Sequence, residues 1–248
     1  MELKQIKSAF IKCGIRKGDT LLLHGDAGVA AQFKIKKKNK TNYLFDQITK
    51  YLGKKSNILI PAFTYSSCKK KYYDKKNSPS ENGLFSETFR KRKSVKRTNH
   101  PIFSFAIYGK KFSYFNNAKL ETCFGQDSIF DRFYKIKGKI ACLGCDLDRI
   151  TFTHYVEQLY RVDYRYQKKF NIFNKDKKKF IKTEYFVRKL LNKNKIDLRA
   201  LHLYLKKKKR IKEANFGRYK LLSVNSIDFF KSCIEMLDKN KNALIRGN

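Results

Sequence analysis

The sequence predicts an α/β fold built on a central, largely buried sheet with helices on both faces. Three observations carry that reading. Short apolar runs recur without polar interruption, Leu21-Leu22-Leu23, Ile58-Leu59-Ile60 and Ile140-Ala141-Cys142-Leu143, as expected of strands covered on both faces. Between them lie segments whose apolar residues return at helical spacing. The 248 residues are 42% hydrophobic and 15% aromatic, with 12 Gly and 3 Pro, which supports a sizeable core and excludes collagen-like, low-complexity and wholly disordered chains.

The elements follow in order. Leu3, Ile6, Phe10 and Ile11 stand at helical spacing and predict a first helix, followed by a strand at 20–23. A helix over 43–52 and a strand at 57–60 come next, then a helix over 84–92 and a strand at 102–108. A helix over 128–134, a strand at 139–143 and a helix over 151–161 complete the alternation. The lysine-dense stretch 34–40 is expected to be a mobile surface loop. After residue 166 the texture changes. Lysine clusters stand at 177–179 and 206–210, a helix is expected over 184–191 and a strand over 219–224. A last helix runs to residue 239, with Ser226 as its N-cap, because a hydroxyl there can accept an orphan N–H of the first turn. No linker rich in Pro, Gly or Ser and no internal repeat interrupts the chain. The organisation is read as an α/β core over 1–166 and a lysine-rich lobe over 167–248 that closes the same domain.

Charge is the outlier, with 58 Lys and Arg against 21 Asp and Glu, a net +37. Such a surplus is the footprint of proteins that meet polyanions. Of the basic residues, however, 45 are Lys and 13 Arg, and Asn, Ile, Tyr and Phe are also abundant, the usage that A/T-rich coding produces on solvated faces. A nucleic-acid reader is expected to draw more on Arg, whose planar fork contacts bases and phosphates bidentately, so nucleic acid is not the expected partner. Six cysteines spread along a chain of this length suggest reduced thiols rather than a disulfide framework. Residues 1–14 lack the apolar core of a signal peptide, and no apolar run approaches the ~18 residues of a membrane span. A cytoplasmic protein is expected.

Four histidines can be weighed singly. His154, in Thr151-Phe152-Thr153-His154-Tyr155-Val156-Glu157, stands three residues before Glu157, which puts imidazole and carboxylate on one helix face. A carboxylate can fix the tautomer of a histidine and stabilise its imidazolium, as a general base at neutral pH requires. The same spacing also makes ordinary surface ion pairs. His24 ends the first strand and opens Gly25-Asp26-Ala27-Gly28, a small-residue turn where α/β sheets place ligands. It has neither G-x-G-x-x-G nor a P-loop lysine. His100, before Pro101, reads as structural when taken alone. Cys142-Leu143-Gly144-Cys145 is a lone C-x-x-C, read as core packing, since zinc would need a second pair. Serine hydrolysis has no G-x-S-x-G elbow to support it, and no metal is expected.

Taken together, these segments resemble the aminoglycoside 3-N-acetyltransferase family, also called antibiotic N-acetyltransferases, over roughly residues 3–166. The markers are Gly18-Asp19-Thr20 leading to His24, Pro61-Ala62-Phe63-Thr64-Tyr65, Ser78-Pro79-Ser80 with Gly83, Glu87, Phe89 and Arg90, and Arg97, His100, Pro101, Ser104, Ala106 and Gly109. Phe124-Gly125 with Ser128, then Gly144, then Thr153-His154 with Glu157 continue the order. The resemblance implies an antibiotic N-acetyltransferase-like fold and transfer of an acetyl group from acetyl-CoA, the co-substrate, to an amine of an aminoglycoside or amino sugar.

On that resemblance His154 deprotonates the attacking amine and Glu157 orients it. His24, Gly25, Arg97, His100 and Ser104 hold the coenzyme, and Tyr65, Asp74 and Glu87 meet the acceptor. Three departures stand out. Gly25-Asp26 replaces the paired serines usual after the first histidine, and Ile129 stands where proline is usual. A +37 chain is also a poor long-range attractor for a polycation, so an amino sugar of surface-glycan biosynthesis, or a nucleotide-linked one, is the alternative acceptor. A basic nucleic-acid-binding module and a non-catalytic scaffold are the competing classes.

Overall fold

The structure, a computed structural model, describes residues 3–35 and 39–246. Helix α1 (Leu3–Lys12) leads into β1 (Thr20–Gly25), and α2 (Lys40–Leu52) into β2 (Asn57–Pro61). The short α3 (Ser67–Lys70) and β3 (Tyr72–Tyr73) precede α4 (Leu84–Arg90), β4 (Lys96–Arg97), β5 (Phe105–Tyr108) and α5 (Phe112–Asn116). Next come α6 (Ile129–Lys135), β6 (Lys139–Leu143), α7 (Thr153–Tyr160), β7 (Arg165–Asn174) and β8 (Lys179–Arg188). The chain continues through α8 (Arg199–Lys207), β9 (Ile211–Phe216), β10 (Tyr219–Asn225) and α9 (Ser226–Leu237).

Seven strands form the main sheet in the order β4-β5-β2-β1-β6-β10-β9. At its centre β1 runs parallel to both β2 and β6, and the outer strands add antiparallel pairs. The apolar runs explain this burial. Successive side chains point to opposite faces, so Leu22, Leu59 and Ile140 enter one core with Phe130, Phe152 and Phe229. Leu21, Leu23, Ile58 and Ile60 enter the other with Phe10, Phe45 and Phe89. The expected α/β architecture, a buried sheet between two helical layers, is the observed one. Residues beyond 166 are woven into it, because β9 and β10 extend the same sheet past β6.

Several local expectations are corrected. The helix expected over 184–191 does not form: residues 184–188 belong to β8, which pairs antiparallel with β7 from Arg165↔Arg188 to Asn174↔Lys179 and, with β3 on the other edge, makes a second sheet. Ile181 and Thr183 turn inward, on either side of the exposed Lys182, and the β-branched and aromatic content of this stretch favours a strand. The strand expected at 102–108 begins only at Phe105, because the backbone N–H groups of Ile102 and Phe103 bond the His100 ring instead. Asn225, not Ser226, is the N-cap of α9, and the Ser226 hydroxyl lies inside the helix, buried and without a partner. Helix α8, strands β7 and β9, and the short α3, β3, β4 and α5 have no counterpart among the expected elements. Of the stretch 34–40, residues 36–38 lie outside the described residues, while Asn39 caps α2. All six cysteines are free thiols.

Candidate active site

Helix α7 places the candidate pair. It starts after Phe152, with the Thr153 hydroxyl donating to the Ile150 carbonyl at 2.7 Å, and stops at Arg161, whose φ of 61° breaks the helical path. Within it the i, i+3 spacing brings His154 Nδ1 to 2.7 Å from Glu157 Oε2. Glu157 is fully buried, and a buried carboxylate persists only when paired and hydrogen-bonded. Its Oε1 accepts from the Tyr164 hydroxyl at 2.9 Å. Its Oε2 lies 2.7 Å from Arg165 Nε, close enough for an ion pair but outside hydrogen-bond alignment. Arg165 opens β7, is 3% exposed, donates to the Phe186 carbonyl at 3.0 Å, and sets Nη2 2.8 Å from His154 Nδ1.

The electrostatics follow from this packing. Burial pushes the Glu157 carboxyl up, but Arg165, His154 and Tyr164 together outweigh it and hold the group below the usual carboxylate range, hence ionised. Burial and then Arg165 push the His154 imidazole down, only partly opposed by Glu157, leaving it below 6.5 and neutral at pH 7. Enclosed though it is, His154 keeps 20% of its side chain open to solvent, so a substrate proton can reach it. A neutral, reachable imidazole backed by an ionised carboxylate is the arrangement of a general base.

An aromatic wall connects this pair to Tyr65. Phe124 meets the His154 ring at 5.4 Å, Tyr185 packs against Phe124 and Phe103, and Tyr65 meets Phe103 at 5.7 Å while remaining 38% exposed. The structure thus joins three of the sequence-predicted residues, His154, Glu157 and Tyr65, in one region.

The coenzyme candidates divide. His24 is the penultimate residue of β1, opposite Cys142, at the carboxyl edge of the parallel strands. Its Nε2 is buried without a partner, and burial, with Arg149 nearby, lowers its pKa to about 3. Gly25 has a packing reason: a Cβ there would stand 2.6 Å from the Phe85 ring, so the departure from serine matches a neighbour that fills the space. Asp26 accepts from the Gly28 N–H at 2.6 Å and caps the following turn.

Arg97, His100 and Ser104 are internal. The five N–H donors of Arg97 go to Ser104 Oγ, the carbonyls of Lys75, Ser78 and Ala62, and Thr64 Oγ1. Ser104 donates to the Ala62 carbonyl at 2.7 Å. His100 Nδ1 accepts from two backbone N–H groups, which leaves the hydrogen on Nε2 to donate to the Thr122 carbonyl at 3.2 Å. These residues brace loops and have no donor left for a ligand. Asp74 and Glu87 are likewise engaged. Asp74 accepts from Lys76 N, Asn77 N and Nδ2, and Lys175 Nζ, while Glu87 pairs with Arg90 and Lys91 and accepts from Ser80 N. Sequence reading missed Tyr164 and Arg165, which reach Glu157 only because the chain doubles back after Arg161.

Cys142 is buried, and Cys145 beside it, together with burial, keeps its thiol protonated. Among the described residues no group of three or more His, Cys, Asp or Glu is gathered as a metal site, and no helix is long and apolar enough to cross a membrane.

Residues 32–238 match the family model described as aminoglycoside 3-N-acetyltransferase, and the chain belongs to that family. Among particular relatives, the SPbeta prophage-derived aminoglycoside N(3')-acetyltransferase-like protein YokD of Bacillus subtilis (strain 168) is 34% identical over 96 residues. That stretch is 38% of this chain and 35% of YokD, so the match spans about a third of the relative's length. The aminoglycoside acetyltransferase AAC(3)-IVa, as apoenzyme, superposes with a TM-score of 0.81 over 98% of this chain and 90% of its own, at 20% identity. AAC-IIIb, solved as a binary complex with CoASH, superposes at 0.79 over 96% and 97%, with 15% identity. At these identities the likeness is one of fold.

Proposed function

We propose that the protein transfers the acetyl group of acetyl-CoA to an amine of an aminoglycoside or related amino sugar, with His154 as general base. The carrying observation is the 2.7 Å contact between His154 Nδ1 and the buried Glu157 carboxylate on α7, in a chain that belongs to this family. With Nδ1–H held by Glu157, the Nε2 lone pair is left free to take a proton. An ammonium has no lone pair, so the amine must be deprotonated before it attacks the thioester carbonyl. The first proton of the ammonium is released to solvent; as the new N–C bond forms and the C–S bond breaks, a second N–H proton passes to Nε2 and then to the departing thiolate. The coenzyme is proposed to meet the end of β1 at His24 and Gly25. Arg97, His100 and Ser104 act from beneath by bracing the loops on that side.

Between these acceptors, a neutral or anionic amino sugar, such as one of glycan biosynthesis, is proposed to be turned over with a better kcat/KM than a polycationic aminoglycoside. Asp74 and Glu87, the carboxylates expected to meet it, already hold Lys175, Arg90 and Lys91, and Glu157 is matched by Arg165. The test is release of free CoA thiol from acetyl-CoA across a panel of aminoglycosides and neutral and acidic amino sugars, at low and physiological salt. Turnover with a better kcat/KM on the neutral or acidic sugars supports both parts. Preference for the aminoglycosides at both salts overturns the acceptor, and no thiol release with any amine overturns the activity.

A further inference from the structure

Two groups of fixed and opposite hydrogen-bonding character converge on one nitrogen. Glu157 Oε2 lies 2.7 Å and Arg165 Nη2 2.8 Å from His154 Nδ1. An ionised carboxylate only accepts and a guanidinium only donates, while a ring nitrogen carries either one hydrogen or one lone pair. Both contacts therefore cannot be hydrogen bonds at once. If Nδ1 donates to Glu157, Nε2 is bare and can take a proton. If Nδ1 accepts from Arg165, Nε2 carries the hydrogen and cannot.

We infer that Arg165 is a positioning residue that keeps His154 neutral and ready as a base, by locking Glu157 as an anion and standing as a cation beside the ring. This rests on the acetyl-transfer reading. With Glu157 ionised against Arg165 Nε, the Nδ1–H form is favoured, because the alternative sets the Nδ1 lone pair against a carboxylate oxygen. The guanidinium then opposes a second positive charge at the ring, so the imidazolium formed during transfer gives up its proton readily to the thiolate. The other groups around the ring fit this assignment. Glu157 on α7 opposes the effect, Tyr164 acts through Glu157, Phe124 is apolar, and Arg188 on β8 adds positive charge at longer range. Without Arg165, the buried carboxylate would recruit the imidazole as its remaining cation, and His154 would hold its proton to higher pH.

The experiment follows the His154 ring by ¹⁵N NMR in histidine-labelled full-length protein, which needs no acceptor, alongside the pH profile of kcat/KM where turnover is measurable. In the wild type the ring is expected as the Nδ1–H tautomer at pH 7. In Arg165→Gln the His154 midpoint and the acid limb of the profile are expected to move up by about one unit, roughly a tenfold loss at a pH below both midpoints. Arg165→Lys, which keeps the charge, is expected to hold the midpoint within a few tenths of a unit, and it decides the matter alone if Arg165→Gln does not fold. Arg188→Gln serves as the more distant control, with a smaller shift. An unmoved midpoint in Arg165→Gln, a shift of a full unit in Arg165→Lys, or an Nε2–H wild-type ring overturns the inference. Absence of thiol release with a shifted midpoint would overturn the acetyl-transfer reading and leave the assignment of Arg165 as the group that sets the ring's charge intact.

Discussion

Two buried polar clusters, both marked by the same family resemblance, behave differently once folded. Around Arg97 every donor has an acceptor: five guanidinium N–H groups meet five oxygens, Ser104 bridges Arg97 to Ala62, and both His100 nitrogens face backbone partners. Around His154 the accounting stays open, with one ring nitrogen contested by Glu157 and Arg165 and part of the ring exposed to solvent. The difference separates scaffold from site. A saturated cluster fixes backbone and has nothing left for a ligand, whereas a cluster with a reachable or contested atom can exchange a proton.

Breaking each cluster should expose the contrast. The largest loss of stability is expected from Glu157→Gln, which strands the Arg165 guanidinium in a buried site. Removing one partner of such a pair costs about 3–5 kcal/mol, read by urea unfolding, and turnover should fall with it. Arg97→Met leaves several buried acceptors unpaired and should cost about 3 kcal/mol, while the His154 NMR midpoint in the folded fraction stays in place. A moved midpoint would join the two clusters into one.

Gly25→Ser, restoring one residue of the family pattern, drives a Cβ toward the Phe85 ring. Such overpacking should cost about 1–3 kcal/mol, and Phe85→Leu in the same chain should recover part of it. No loss of stability in Gly25→Ser would mean that the ring yields freely. The smallest effect concerns pH. Burial lowers His100 to about 4, with the Thr122 contact opposing, so the unfolded chain binds a proton between the ordinary 6.5 and that value that the folded chain refuses. Stability should therefore be fully present above about 6.5 and fall as pH drops toward 4. His100→Asn should flatten that slope in unfolding curves at pH 7, 6 and 5, and an unchanged slope would assign it to other groups.

The sheet was legible in the sequence because burial on both faces leaves uninterrupted runs such as Leu21-Leu22-Leu23. The His154–Glu157 pair was legible because both members lie on one helical turn. Arg165 was not, because it meets them through the reversal at Arg161 and the start of a hairpin, and no periodicity joins residues 157 and 165. Saturation is equally invisible along a chain: Arg97 carries the marks of a phosphate ligand until the carbonyls of Ala62 and Ser78 fold onto it. The 184–191 stretch reads both ways, because Phe186, Val187 and Leu190 fit a helical face while its β-branched and aromatic residues suit a strand, and pairing with β7 decides for the strand.

The most direct measurement is the rate of free thiol release from acetyl-CoA, per folded molecule, with the best acceptor, for wild type, His154→Ala and Arg97→Met, with CoA affinity measured by calorimetry in parallel. The account predicts that His154→Ala loses about 10²- to 10⁴-fold in turnover with CoA affinity nearly intact, while folded Arg97→Met stays within a few-fold of wild type. Wild-type turnover in His154→Ala would contradict it and place the base elsewhere.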